Sequence, residues 1–497
     1  MQAVYLISAV TALSGWLTLG QTQAAPTPIL SLDRAIQIAL ANNPDARLAQ
    51  HRIEGAEAAL QQANAAFWPQ LSLNSSYAVT DNPMRVFGAA LNQQSFGLDL
   101  INDIPDADNF NVHGLVVLPL YQGGQSSARR DRATAGLDAA RQIDLATRHA
   151  LAFEVARTYY TIQKTRAFIE ATTAATKAFE ASLATANKRL AAGTALKTEV
   201  LDVEVRLAEA RENLVRASNA NALTLKIMQN LLASEASLED ATFETPSIPV
   251  PAANTVPSRP ELAAAAKQRE AAEAALRGAR ASGRPAVNAF GRYDYDHGWH
   301  FNGETDSYTA GVEMNWNLWD GNLTRGRKRE AQAALDAAIE TERKLQLGIQ
   351  LEVARARLAL QEADQRLEVT SRASNQAAES AELTRSRFEQ GLALSTQLID
   401  AETALTAARV RRVEAESDRR VAIAALRKAL GLPQRPHPLI QNLVRHPSLK
   451  SHEYQATYPH HRSRRSPALA ERLLSSLRIP RPTNLTPHRQ RASPHGR

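Results

Sequence analysis

Few side chains in this sequence are arranged to do bond chemistry. No cysteine occurs in its 497 residues, which removes disulfides, thiolate metal sites and cysteine nucleophiles. Gly123-Gly124-Gln125-Ser126-Ser127 is rich in glycine but lacks the lysine and spacing of a phosphate-cradling loop. His297 and His300 lie close in sequence, but no matched carboxylates complete a metal set. No Ser/His/Asp pattern stands out. What does recur is a trio: Arg189, Gly193 and Asp202 return as Arg387, Gly391 and Asp400. Glycine permits a chain reversal without steric cost, so each trio marks a turn and not a catalytic centre. The sequence reads as a non-enzyme that needs no cofactor.

The trio belongs to a much longer duplication. Residues 120–232 lie over 318–430 without a gap, and Glu154-Val155-Ala156-Arg157 recurs as Glu352-Val353-Ala354-Arg355. A second register pairs Pro44, Glu57, Ala58-Ala59-Leu60 and Pro69 with Pro260, Glu273, Ala274-Ala275-Leu276 and Pro285. A unit of roughly 200 residues is far longer than a solenoid repeat, so two copies imply a duplicated fold.

Charge is unevenly distributed. The net charge of +7 arises in residues 433–497, which carry twelve Lys or Arg against Glu453 and Glu471. The remainder is close to neutral, so the basic balance gives no case for nucleic acid. The same segment holds 10 of the 23 prolines and 7 of the 12 histidines, and reads as a disordered basic tail. Residues 1–25 read as a signal peptide, with an apolar stretch leading to Ala24-Ala25, although no Lys or Arg precedes it.

Between these ends, each unit passes from helix to strand to helix. Residues 31–67 and 259–282 are rich in Ala, Glu, Gln and Arg, which favour helix. After Pro69 and Pro285 the period becomes two. Leu71, Leu73, Ser75, Tyr77 and Val79 alternate with polar or small residues, as do Phe110, Val112, Gly114, Val116 and Leu118. In the second unit the corresponding series are Val287, Ala289, Gly291, Tyr293, Tyr295 and Tyr308, Ala310, Val312, Met314, Trp316, Leu318. Strands of about 9–11 residues suit an outer membrane barrel. The connection is longer in the first hairpin (about 81–108) than in the second (about 296–306). Long helical stretches follow, at 126–190 and 324–389, each turning at a glycine into a second helix that must run back antiparallel. In the first of them Val155, Tyr159, Ile162, Arg166 and Ile169 give a coiled-coil seam that Arg166 interrupts.

The domain reading is therefore a signal peptide (1–25), a first repeat (26–245), a linker (246–258), a second repeat (259–432) and the tail (433–497). Hairpins are expected at about 70–119 and 286–318, with long helical hairpins at about 124–234 and 322–431. Four strands cannot close a membrane barrel, and lipid does not tolerate open edges. The expected class is mostly α with a β-barrel contribution, three chains pooling twelve strands above a helical tunnel.

The doubled helix–hairpin–helix unit, the exit Leu118-Pro119-Leu120-Tyr121-Gln122-Gly123-Gly124 and the paired tip turns at 189–202 and 387–400 resemble the TolC-like outer membrane efflux protein family. The resemblance covers about residues 29–432. It implies a homotrimer in outer membrane lipid of a Gram-negative bacterium, its helical part in the periplasm. Such a duct docks with a periplasmic adaptor and an inner-membrane pump and exports small molecules. It places Gly193, Thr194, Ala195, Gly391, Leu392 and Ala393 at the adaptor-docking tips. It puts a periplasmic constriction at Gln397, Asp400, Glu199 and Asp202, one position being amide where the family has an acid. The family's basic latch position is Ala393 here. Trp68, Tyr121, Trp316 and Trp319 are expected at the membrane interface, with packing at the barrel–helix junction as the rival reading. Two alternatives stay open: the exit duct of a type I protein secretion system, and a periplasmic coiled-coil scaffold or adaptor, which leaves the four alternating strands unexplained.

Overall fold

The computed structural model describes residues 29–101, 104–244 and 248–434. The expected signal peptide and all of the tail beyond Gln434 lie outside the described residues. The first repeat runs β1 (Ile29–Leu30), α1 (Leu32–Asn42), α2 (Pro44–Ala65), β2 (Gln70–Thr80), α3 (Pro83–Asn92), β3 (Ala107–Tyr121), α4 (Gln125–Ala191), α5 (Lys197–Leu232) and β4 (Thr242–Phe243). The second runs α6 (Pro260–Ala281), β5 (Ala286–Gly298), β6 (Gly303–Asn315), α7 (Leu323–Glu389) and α8 (Ser395–Ala429).

The local causes repeat with the sequence. Pro44 and Pro260 each stand at the first position of a helix, where a missing N–H costs nothing. Asn43 caps α2 through its side chain (2.9 Å to Asp45 N) and so divides the expected 31–67 helix into α1 and α2. Gly123-Gly124 and Gly321-Asn322 all take positive φ between strand and long helix. α4 and α7 are both 67 residues long, about 100 Å each at 1.5 Å per residue.

The long strands form one antiparallel sheet in the order β2-β3-β5-β6. Their helices adopt the same lateral order. α2, which leads into β2, packs on α4; α4, which follows β3, packs on α6; α6, which leads into β5, packs on α7, which follows β6. In the lower half α5 and α8 take the places of α2 and α6, with α4 touching both. β2, at 11 residues, has the expected length, while β3, β5 and β6, at 13–15, exceed it. The first connection is not a plain loop, because it contains α3.

The main core lies where the two repeats close on each other at mid-height. Tyr159, Tyr160, Val155, Ile162, Met228 and Leu430 are all buried there, beside the short parallel pair of β1 with β4. The Tyr159 hydroxyl is 2.8 Å from both Leu30 O and Glu244 O and can donate to one at a time. Its ring meets Phe243 edge-on at 5.2 Å. Arg166, the break in the seam, leaves the helix interface. It donates to Ala241 O (2.8 Å) and Glu239 O (3.1 Å) and covers the Phe243 ring, while the buried line continues through Thr165, Thr172 and Thr176. No helix among the described residues is long and apolar enough to cross a membrane.

Candidate functional site

The sheet separates its side chains by face over most of its length, although Leu115, Val117 and Phe290 fall among the polar series and Asp108, Glu304 and Asp306, at the far end, among the apolar one. Register pairs Leu71 with Val116, Val116 with Gly291 and Gly291 with Ala310, so the four alternating series share one face as far as Met314; β6 ends at Asn315, and Trp316 and Leu318 lie beyond it. That face is mostly apolar and open: Leu71, Leu73, Tyr308, Val312 and Met314 are each at least 66% exposed. The other face carries Ser72, Asn74, Asn109, Asn111, His113, Arg292, Asp294, Asp296, Thr309 and Glu313. Its polar groups are linked to one another. Arg292 donates to both oxygens of Asp294 (2.7 and 2.6 Å), and Asn111 to Asp294 and Asp296 (3.1 Å each). Among the described residues the outer edges of β2 and β6 are paired with nothing.

The expected interface aromatics cluster at the helix-proximal end of the strands. Trp68, Tyr121, Trp316 and Trp319 are all exposed, Trp319 by 77%. After a register shift at Pro119, Tyr121 pairs with Val287 and thereby joins the apolar face. Trp316 also donates its Nε1 to Gly283 O at 3.3 Å, so in part it meets the junction reading. At the opposite end the sequence reading missed Trp299. It turns onto the apolar face between Tyr77 (5.7 Å), Phe110 (6.1 Å) and His297 (4.9 Å). Its clue was an isolated Trp in a tight turn bordered by aromatic strand residues. The backbone N–H groups of His300 and Trp299 donate to the Asp108 carboxylate at 2.7 and 3.1 Å and fix the turn.

The helical tips close by the same device twice. Gly193 (φ 74°) and Gly391 (φ 77°) take the left-handed conformation, and Thr194 N and Leu392 N reach back to Arg189 O and Arg387 O at 2.8 Å. This is the double hydrogen-bonded helix ending in which glycine avoids the Cβ penalty. Leu196 N and Leu394 N then donate to the side chains of Glu199 (3.4 Å) and Gln397 (3.2 Å). Glutamate and glutamine serve equally as acceptors there, which gives a local reason why an amide stands at Gln397. Of the expected docking residues, Gly193, Thr194, Gly391 and Leu392 are exposed and Ala195 is half-buried. Ala393 is a correction: it is buried against Phe388, Ala186, Val200 and Leu398, which tie the two tips together. The exposed apolar residues beside the turns are Leu196 (67%), Leu392 (74%) and Leu394 (62%), two of which the sequence reading left out.

Asp202 and Asp400 are both exposed on the returning helices α5 and α8. Arg206 lies within the field of each. Its guanidinium is held above its usual range first by a 2.8 Å bond to Glu209 and then, more weakly, by Asp400 and Asp202. The two acids thus share one neighbourhood, which also contains a cation.

A two-faced sheet continued by helices in the same lateral order, with glycine-closed tips, is a distinctive arrangement. The sequence profile of the family described as "Outer membrane efflux protein" matches residues 35–234 and 254–432. The chain belongs to that family. The outer membrane protein OprJ of Pseudomonas aeruginosa is 27% identical over 422 residues, spanning 80% of this chain and 84% of OprJ. The fold is shared with the outer membrane protein VceC of Vibrio cholerae (TM-score 0.71, 22% identity, 81% of this chain and 97% of VceC). It is shared also with the CmeC outer membrane channel of Campylobacter jejuni (TM-score 0.72, 14% identity, 83% of this chain and 88% of CmeC). The chain is thus an outer membrane efflux protein of the TolC type.

Proposed function

We propose that this chain is the passive exit duct of a tripartite efflux system, three copies forming a twelve-stranded barrel on a helical tunnel. The observation that carries the reading is the sheet with one largely apolar face, one largely polar face and two edges unpaired among the described residues. Lipid would leave the edge N–H and C=O groups of β2 and β6 unsatisfied at several kcal/mol each, unless β6 of one copy meets β2 of the next. The helices support the same closure. Leu201, Val205, Leu223 and Ile227 on α5, and Leu347, Leu351 and Leu358 on α7, are exposed at opposite lateral ends of the helical layer.

In this reading the apolar face meets lipid and the polar face lines the lumen. The exposed tip residues Gly193, Thr194, Gly391 and Leu392, joined by Leu196 and Leu394, would meet the periplasmic adaptor. Asp202 and Asp400 would approach the axis in threefold copies, partly offset by Arg206. No step of bond chemistry is required of the duct, whose energy would come from an inner-membrane pump. The test is reconstitution of detergent-extracted protein into planar bilayers, together with complementation of small-molecule export in cells lacking their own duct. Discrete channel events and restored export would support the reading. Protein recovered without detergent and silent in bilayers would contradict it.

A further inference from the structure

The segment between β2 and β3 goes beyond what a plain hairpin loop requires. α3 is capped by the Asn82 side chain on Arg85 N (3.3 Å), with Pro83 at its first position. One side of the helix, Val86, Ala89 and Ala90, is buried against Leu100 and Ala107, with Phe87 and Phe301 alongside. The chain then reverses at Gln94, a non-glycine residue in the left-handed region (φ 52°), which places residues 93–95 against the end of the β5–β6 hairpin.

The side chains that anchor this segment, Asn109 and Thr305, lie on the polar face. Gln93 Nε2 donates to Asn109 Oδ1 (2.9 Å) and to Asp108 O (2.7 Å), and Gln94 Nε2 donates to Thr305 Oγ1 (2.9 Å). Asn109 continues the chain to Asp296 (2.6 Å). By register Ala107, Asn109 and Thr305 share the face of Asn111, Arg292 and Asp294, opposite to Leu71 and Val312. The seat is shaped for this segment, because a Cβ at Gly298 or Gly303 would collide with Gln93 or Ser95. Gln93 itself is 1% exposed.

We propose that α3 folds inward across the mouth of the lumen, and that three copies form an apolar restriction at the outer end of the duct. This rests on the trimeric barrel reading, since only there does the polar face become an interior. At about 100° per residue Met84 and Leu91 stand on the side of the helix opposite Val86 and Ala90. They are 78% and 59% exposed. The ring that they form would be the last protein surface an exported solute touches. Thioethers and leucines adapt to varied apolar shapes, so the restriction favours apolar or amphipathic solutes over strongly hydrated ions.

The absence of cysteine makes the test direct. Full-length trimer carrying Met84→Cys is reconstituted in planar bilayers and treated from the outer side with a charged methanethiosulfonate, with modification read by mass. The expected result is a stepwise fall in conductance, one step per modified copy, and none for Val312→Cys on the lipid face. A second variant, Gln93→Ala with Gln94→Ala, removes the anchors and should raise conductance. Channels that conduct normally but ignore both the modification and the anchor variant would overturn the restriction and leave the duct standing. A Met84→Cys thiol that the reagent cannot reach would also overturn it. No conductance from any form would instead sink the duct reading itself.

Discussion

The guanidinium carbon of Arg189 lies 4.9 Å from the centre of the Phe388 ring, joining the end of the first repeat's long helix to the equivalent end of the second. Phe388 is 1% exposed and sits among Ala186, Val200, Ala393 and Leu398. The apolar contact outweighs the cation. Phe388→Ala should cost about 3 kcal/mol locally by opening a cavity, whereas Arg189→Met should cost no more than about 1 kcal/mol. Hydrogen exchange over the tip helices would show strong loss of protection for the first variant and little for the second.

Glu402 is buried (2% exposed) on α8 and is held by Arg385 of α7, whose Nε (3.0 Å) and Nη2 both donate to the one oxygen Oε1. The equivalent first-repeat positions are Asn187 and Glu204, both exposed, so only the second hairpin carries this clasp. Arg385→Ala strands a buried carboxylate and should destabilise by about 3 kcal/mol. Arg385→Leu combined with Glu402→Leu should recover most of that loss. Denaturant titration of the detergent-solubilised protein checks both.

Arg259 joins three elements. It donates to Glu261, to Glu352 (3.0 Å) and to the carbonyls of Lys428 and Ala429 (3.2 and 3.4 Å). Its own side chain is 8% exposed, against 30% for Glu261 and 42% for Glu352. Arg259→Ala should therefore cost about 2–3 kcal/mol, below the full value for a sealed pair.

The same pair sets an acid limit. Burial pushes the Glu261 carboxyl up, but the Arg259 hydrogen bond and charge outweigh it, and the group titrates below its ordinary 4.5. A depressed carboxyl contributes stability that is present above its unfolded value and lost as pH falls through the folded one. Unfolding of the wild type should thus become easier below pH 4.5. Glu261→Gln should be less stable at neutral pH and show a shallower acid slope.

The two faces of the sheet should respond oppositely to charge. Val312→Arg places a cation on the apolar face and should cost about 2–4 kcal/mol per copy near mid-membrane. Thr309→Arg on the polar face should assemble normally and alter only conductance. Gel mobility of unheated samples, followed by bilayer recording, separates the two outcomes.

Much of this was legible because period-two alternation and glycine turns are local signals. The series from Leu71 to Met314 needed no partner to be recognised, and the structure gathers all four onto one face. Gly193 and Gly391 were visible because only a left-handed turn links such long helices so abruptly. The rest depended on distant residues. α3 is ten residues inside a connection, and its polar-face anchors come from β3 and β6. Ala393 looked like a small turn residue, yet its burial is decided by Phe388 and by Ala186 in the other repeat. Arg166 broke a heptad for a reason nearly eighty residues away, at Ala241 and Phe243.

In the proposed trimer the open sheet edges are closed by further copies of the chain. The most direct measurement is the mass of the detergent-extracted protein before and after boiling. A stable species of three chains that collapses to monomer on heating is the predicted result. Recovery as a soluble monomer or dimer in the periplasmic fraction would contradict it.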